Sequence, residues 1–400
     1  MGQRHLHPDS PWLLALLAAL VALGPLSVDM YLPAMPRMMQ ALDTDISHMH
    51  LTLSAYLSGF ALFHLLCGPL ADRFGRKPVL TGGTLLFVAA CIGCSQSTSV
   101  EELLAFRFVQ GIGACVGPTL ARAVTRDVFG PSRAARALSL IAMLMALAPA
   151  VAPTLGGLML LILPWPSIFV FLAIYGAAMS VLIQVYLAES LPRPQSLHPL
   201  SIARNYTQLF RDPLYLSASL ASGLVYAGLL TYLSSSSFIY IEMLGVPVEY
   251  FGFIFLTSVV GYMLGSAVSA RLTRYRASEH TVLVGAIVAA VATAIMFLGS
   301  TLFPASISAL VVPMVFYATG MGLVLPNAMA VALRPFPQMA GTASALLGFI
   351  QMSLSASSSA LVGAFLQDTP LPVLVFMCVI TLLALGLSVR VYRRHSMTNP

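Results

Sequence analysis

From Pro11 to Arg390 the chain is a succession of apolar stretches about twenty residues long, parted by short links that hold nearly all of its charge. A helix rises about 1.5 Å per residue, so about twenty apolar residues cross the roughly 30 Å hydrocarbon layer of a bilayer. Backbone groups in lipid must find their partners inside the segment, which makes a helix the form such a stretch takes. The spacing predicts twelve spans: 11–34, 49–71, 78–97, 102–122, 137–160 and 165–188, then 214–235, 250–270, 280–300, 304–327, 339–364 and 370–390. Asp, Glu, Lys and Arg make up only 8% of the 400 residues and hydrophobic residues 58%, too little charge to cover a soluble particle of this size. A soluble enzyme, a nucleic-acid binder and a secreted disulfide scaffold are excluded on that ground. The first stretch follows Arg4 as a signal peptide would, but it runs on through Pro25 to Pro33 and reads as a retained helix.

An even number of spans puts both termini on one side. Placing them in the cytoplasm leaves 18 of the 20 Lys and Arg residues on inner segments, with only Arg37 outside and Arg107 within a span. Asp43, Asp45, Glu101, Glu102, Glu242, Glu249 and Asp368 then fall on outer links. The polar stretch from Glu189 to Pro213, with Pro192, Pro194 and Pro199, divides the chain. A six-helix bundle over 1–188 and another over 214–400 are expected on either side of a cytoplasmic loop, 189–213. Gly68 to Lys77 has a degenerate echo in Ser266 to Tyr275, where Ala270 stands in place of Asp72. Cys67, Cys91, Cys94, Cys115 and Cys378 lie in or beside apolar stretches and read as packing residues. The C-x-x-C of Cys91 and Cys94 has no second ligand pair, and His48-Met49-His50 is too thin a signal, so no metal site is expected.

Four segments carry more than a span requires. Between spans two and three, Gly68-Pro69-Leu70-Ala71-Asp72-Arg73-Phe74-Gly75-Arg76-Lys77 combines glycines suited to tight reversal with interface charges. An inner loop would need the arginines alone, and Gly68, Asp72 and Gly75 exceed that need. In span four, Arg107 is costly in lipid and faces a bundle interior or wet cavity, unless it snorkels to the outer end. Helical spacing puts Gln110, Gly111 and Ala114 on its face. In span five, Pro149 and Pro153 interrupt helical bonding while Gly156 and Gly157 permit close packing; a plain structural kink reads equally well. In span one, Asp29 is the one clear acid inside a span. It lies about five residues from the outer end, and Arg107 lies at a similar depth in span four, so the two are expected to share one layer. Asp29 is then either a carboxylate that titrates against cargo or half of a fixed bridge to Arg107. Tyr31, turned by about 200° along the helix, points elsewhere.

The loop from Gly68 to Lys77 matches the signature G-x-L-a-D-r-x-G-r-k, and the chain resembles the major facilitator superfamily. Arg107 to Ala114 is similar to that superfamily's second signature, R-x-x-q-G-x-g-a. Ala148 to Gly157 resembles the signature of its drug–proton antiporters, with Ala148 and Ala152 at the first two glycine positions. Asp29-Met30-Tyr31-Leu32-Pro33-Ala34-Met35-Pro36, Ala332 to Pro337 and Gly341 to Leu346 narrow the resemblance to the Bcr/CflA drug-resistance transporters, over nearly the whole chain.

The resemblance implies an all-α membrane protein of the major facilitator fold, with twelve transmembrane helices in two pseudo-symmetric six-helix bundles. It implies export of small drug-like molecules such as bicyclomycin and phenicols, in exchange for protons, across a bacterial inner membrane. Asp29 and Arg107 would couple protons, and Pro149, Pro153, Gly156 and Gly157 would form the antiporter motif. Gly68, Asp72, Arg73, Gly75 and Arg76 would form a cytoplasmic gate, Asp72 facing the start of span eleven near Gly341. Candidate cavity residues are Gln110, Tyr226, Asn327 and Gln351, with Tyr232 held more loosely and the serines at 234–237 and 355–359 read as packing residues. His64 replaces the usual glutamine and is either a neutral packed ring or a second titratable group.

A single chain working as a monomer is expected, with small molecules, protons and lipid as partners and no nucleic acid. No cofactor is expected: the G-x-x-x-x-G-K-[ST] pattern is absent, which points to the proton gradient as the energy source. Two other readings share the fold, a dedicated exporter of a siderophore, amino acid or sugar, and a proton symporter. A membrane enzyme finds no H-E-x-x-H, G-x-S-x-G or intramembrane acid cluster to support it.

Overall fold

A computed structural model describes residues 10–145, 148–191, 199–366 and 369–398. The described elements are helical: α1 (Pro11–Asp29), α2 (Met35–Ala41), α3 (Ile46–Phe74), α4 (Arg76–Gln96), α5 (Val100–Met145), α6 (Ala148–Ile162) and α7 (Pro166–Tyr186) come first. They are followed by α8 (Pro199–Arg211), α9 (Pro213–Ser237), α10 (Val248–Leu272), α11 (Ser278–Leu302), α12 (Ile307–Leu333), α13 (Ala340–Gly363) and α14 (Leu371–Thr398). Eleven helices among the described residues are long and apolar enough to cross a membrane. The stretch expected at 137–160 is shared between the end of α5 and the shorter apolar α6. Arg4, Pro192, Arg193, Pro194 and Asp368 lie outside the described residues, as do the side chains of Arg133 and Arg136.

Span one departs from its expected boundary. Helix α1 stops at Asp29, a 3-10 turn covers Leu32–Ala34, and α2 carries the chain on to Ala41. Pro33 and Pro36 explain the break: neither has an N–H to donate, and both sit at the opening positions of new turns, where proline is tolerated. Asp29 therefore lies a dozen residues, about 18 Å of helix, short of the end of this stretch at Ala41, much farther in than a boundary at residue 34 implies. The expected loop 189–213 likewise contains α8, whose apolar and polar residues segregate to opposite faces.

The chain divides into two compact units, residues 1–44 with 55–199 and residues 45–54 with 200–400. In the first, α5 meets a different neighbour at each of three glycines. A Cβ on Gly111 would overlap the Tyr56 carbonyl oxygen of α3, one on Gly117 the Leu20 carbonyl oxygen of α1, and one on Gly113 would lie 2.6 Å from the Phe87 nitrogen of α4. These contacts are backbone against backbone, the closest approach two helices make, and no larger residue fits. In the second unit α12 holds the corresponding place. Tyr317 donates to the Val225 carbonyl of α9 at 2.6 Å, Thr319 to the Gly261 carbonyl of α10 at 3.1 Å, and Gly320 lies against Gly285 of α11.

Candidate functional site

Arg107 is wholly buried, one turn into the apolar part of α5. Its guanidinium carbon lies 4.3 Å from the Tyr31 ring centroid and 4.5 Å from that of Tyr56, with Phe169 at 5.9 Å. Desolvated contacts of this kind contribute about 2 kcal/mol each, which offsets part of the cost of burying the cation. Nη1 donates to the Ser27 carbonyl at 3.1 Å and to Gln110 Oε1 at 2.6 Å. Nε and Nη2 have no hydrogen-bond partner among the described residues.

Asp29 is 4% exposed. No ion pair joins it to Arg107 among the described residues, so of the two readings of Asp29 the fixed bridge is not the one made. Helix α1 ends at Asp29, and Met30 and Tyr31 stand in the turn that follows, so the expectation for a continuous helix does not carry across. Tyr31, expected to point elsewhere, is the side chain that meets the arginine. Gln110, expected in a cargo cavity, is wholly buried with both ends engaged, since its Nε2 donates to Cys91 Sγ at 3.0 Å. It orients Arg107 instead. Helix α6 brings the antiporter-like segment to the same place: a Cβ on Gly156 would lie 2.5 Å from the Met30 carbonyl oxygen, beside Asp29. Pro153 is buried inside α6, while Pro149 stands in its opening turn and Gly157 is buried on the packed side. His64 is buried, with its ring edge-on to Phe60 at 5.8 Å.

At the other end of the first unit, the expected gate resolves into a set of charge contacts. Gly75 has φ +102°, a left-handed conformation, and makes the whole reversal between α3 and α4. Gly68, expected to share in that reversal, stands inside α3 with open space around it. Asp72, about one-third exposed, pairs with Arg76 Nη2 at 2.7 Å, and Arg76 Nε reaches Asp127 at 3.2 Å, whereas Arg73 is exposed. Glu189 caps α4, its carboxylate accepting from the backbone N–H groups of Arg76 at 2.9 Å and Lys77 at 3.1 Å. A carboxylate on the orphan donors of a helix start satisfies them and meets the positive end of the dipole.

Sequence reasoning missed Glu189 as a cap because it is 113 residues away from Arg76 along the chain. Gly75→Ala is expected to cost about 1–3 kcal/mol, because the backbone is left-handed there and a Cβ would lie 2.5 Å from Glu189 Oε2. Gly68→Ala should leave the melting temperature in detergent unchanged, and equal losses in the two variants would contradict this assignment.

In the second unit the expected cavity residues separate. Asn327, 4% exposed, donates to Ser269 Oγ at 2.6 Å and the Leu323 carbonyl at 2.8 Å, so it holds α12 to α10 and offers little to cargo. Gln351 and Tyr226 are half-buried, Gln351 Nε2 donating to Ser222 Oγ at 2.8 Å. Tyr232 shares a hydroxyl–hydroxyl bond with Tyr240. The buried acid Glu279, in the first turn of α11, pairs with Arg334 at the end of α12. This repeats the Arg76–Asp127 contact with the charges exchanged: the acid now stands on the helix start and the arginine on its neighbour. A short-range signal existed, since Glu279 is an acid on the otherwise basic link between α10 and α11.

Comparison with known proteins agrees with this architecture. The family model of the Major Facilitator Superfamily matches residues 17–360. The MFS-type transporter YdgK of Bacillus subtilis is 33% identical over 353 residues, 87% of each chain. A bicyclomycin resistance protein homolog of Haemophilus influenzae is 30% identical over 91% of this chain and 92% of its own. The multidrug resistance protein MdtL of Vibrio parahaemolyticus is 31% identical over 90% of this chain and 91% of its own. In fold, the crystal structure of a bacterial homolog of the human lysosomal transporter Spinster matches with a TM-score of 0.78, over 97% of this chain and 98% of that one, at 16% identity. With a helical core of membrane-spanning length and these relatives over nearly its whole length, the chain belongs to the Major Facilitator Superfamily, on its Bcr/CflA-like branch, and is a multi-pass membrane transport protein rather than an enzyme.

Proposed function

We propose that the protein exports small drug-like molecules across a bacterial inner membrane in exchange for protons, working as a single chain with both termini in the cytoplasm. The observation that carries this reading is Asp29, buried deep in span one without a charged partner among the described residues. A carboxylate so placed is costly, and taking up a proton removes the cost. Asp29 is therefore the group that holds a proton in one half of the cycle and gives it up in the other. Arg107, fixed by two carbonyl-type acceptors and two tyrosine faces, is a permanent buried cation in the same unit. Cargo entering from the cytoplasm favours the deprotonated, outward-opening form, and a proton arriving from outside favours return. Each proton moving inward contributes about 2.3 kcal/mol per 100 mV, besides the pH gradient. No cofactor is needed for such exchange. The relatives named for bicyclomycin and multidrug resistance support cargo of that class.

An efflux-deficient bacterium expressing the chain should tolerate more bicyclomycin or chloramphenicol than the same strain with an empty vector, and a protonophore should remove the difference. Protection that survives the protonophore in full would contradict proton coupling.

A further inference from the structure

His50 is fully buried near the start of α3, in the segment 45–54 that belongs to the second unit. Its ring stacks on Phe238 at 5.9 Å between centroids with the planes 22° apart, and Phe238 opens a π-helical turn, Phe238–Met243. Such turns are rare and gather at functional places in helices. His50 Nδ1 lies 3.2 Å from the Ser359 carbonyl oxygen of α13 and 3.4 Å from its Oγ. A carbonyl only accepts, so Nδ1 carries the hydrogen and Nε2 is a bare lone pair. Nε2 has no partner among the described residues. Gly363 closes the remaining side, where a Cβ would overlap the histidine.

The groups facing this ring do not offset a charge. From α13 they are Ser359 and Gly363. On the π-turn element, Tyr240 bonds to Tyr232 and Glu242 is exposed. On α3 itself, Asp45 and His48 pair with each other at 2.9 Å in the exposed opening turn. There the His48 backbone N–H, foremost, holds the Asp45 carboxyl below its usual range. A proton added at His50 Nε2 would create an imidazolium with no acceptor for that proton among the described residues. The packed arrangement thus takes the neutral ring, and acid favours any arrangement in which the ring meets water.

We propose that His50 Nε2 is a second proton-binding site of the chain, and that its occupation releases the outer turns of α3 from α13 and the π-turn. Neutral, the ring clasps them together. Protonated, it lets go. The inference rests on the proposed export cycle only for which side of the membrane delivers the proton.

The test is a pulsed-resonance distance between nitroxide labels on two exposed positions of the second unit, in the L51C/L361C chain, with the singly labelled chains correcting for native thiols. At pH 8 one distribution is expected, and at pH 4 a second, longer one, with a midpoint in the range below a free histidine's value of about 6.5. His50→Gln keeps an N–H for the Ser359 carbonyl but does not titrate, and should show the pH 8 distribution throughout. His48→Gln and Asp29→Asn should keep the response, which separates this site from the opening-turn pair and from the export cycle. A distribution unchanged between the two pH values, a midpoint outside that range, or a response that persists in His50→Gln would overturn the proposal. Should His50→Gln fail to fold, the parent titration with the two control variants decides alone.

Discussion

Asp29→Asn is expected to insert and fold as the parent does while losing all gradient-driven export. The amide has the size of the carboxyl and resembles its protonated form, and with no ion pair to break among the described residues the change leaves packing intact. What it removes is the exchangeable proton. A potential of 100 mV acting on one proton contributes about 2.3 kcal/mol, a cargo ratio of about 50 at equilibrium. The variant should bring labelled chloramphenicol to a ratio near one in energised everted vesicles, with an unaltered melting temperature in detergent. Accumulation equal to the parent's would remove Asp29 from the mechanism.

The second large effect is structural. Gly111→Leu should fail to give a monodisperse, folded protein, with a stability loss of at least about 3 kcal/mol. The atom in the way is the Tyr56 carbonyl oxygen, with the Phe60 nitrogen 2.9 Å from the same added carbon. Backbone on both sides leaves only one relief, a separation of α3 from α5. That separation carries Tyr56 off the Arg107 guanidinium, so the cage opens along with the packing. Gly82→Ala and Gly341→Ala, where an added Cβ meets nothing within 4 Å, are the controls and should behave as the parent does. A Gly111→Leu chain that melts with the controls would show that this crossing tolerates widening.

Much of this was legible before any coordinates. Apolar length and the grouping of Lys and Arg set the helical, membrane-spanning class, because lipid accepts little else. Arg107 announced itself as a buried cation, and Gly111 as a residue on its face. What stayed hidden depended on contacts far apart in the chain. The tyrosines around Arg107 come from α3 and the turn after α1, and tyrosine in a membrane protein is more often an interface anchor than a lid on a cation. The Glu189 cap on α4 joins residues 113 apart. The misplacement of Asp29 had a local cause: Pro33 looked like the end of a span, yet two prolines at the openings of successive short turns let the chain continue to Ala41. The same turn reversed the expected roles of Asp29 and Tyr31. Amphipathic α8 was masked by the prolines before it and by a polar face that made the whole stretch read as a loop.

Exchange of a proton for cargo can be read in liposomes that hold the purified chain and a pH-sensitive dye in the lumen. With no gradient imposed, whichever of bicyclomycin and chloramphenicol the chain protects against is added outside. The lumen should turn alkaline as cargo enters and protons leave, and Asp29→Asn liposomes should give no signal. Acidification of the lumen, or entry of cargo at the full rate with no change in pH, would contradict the exchange.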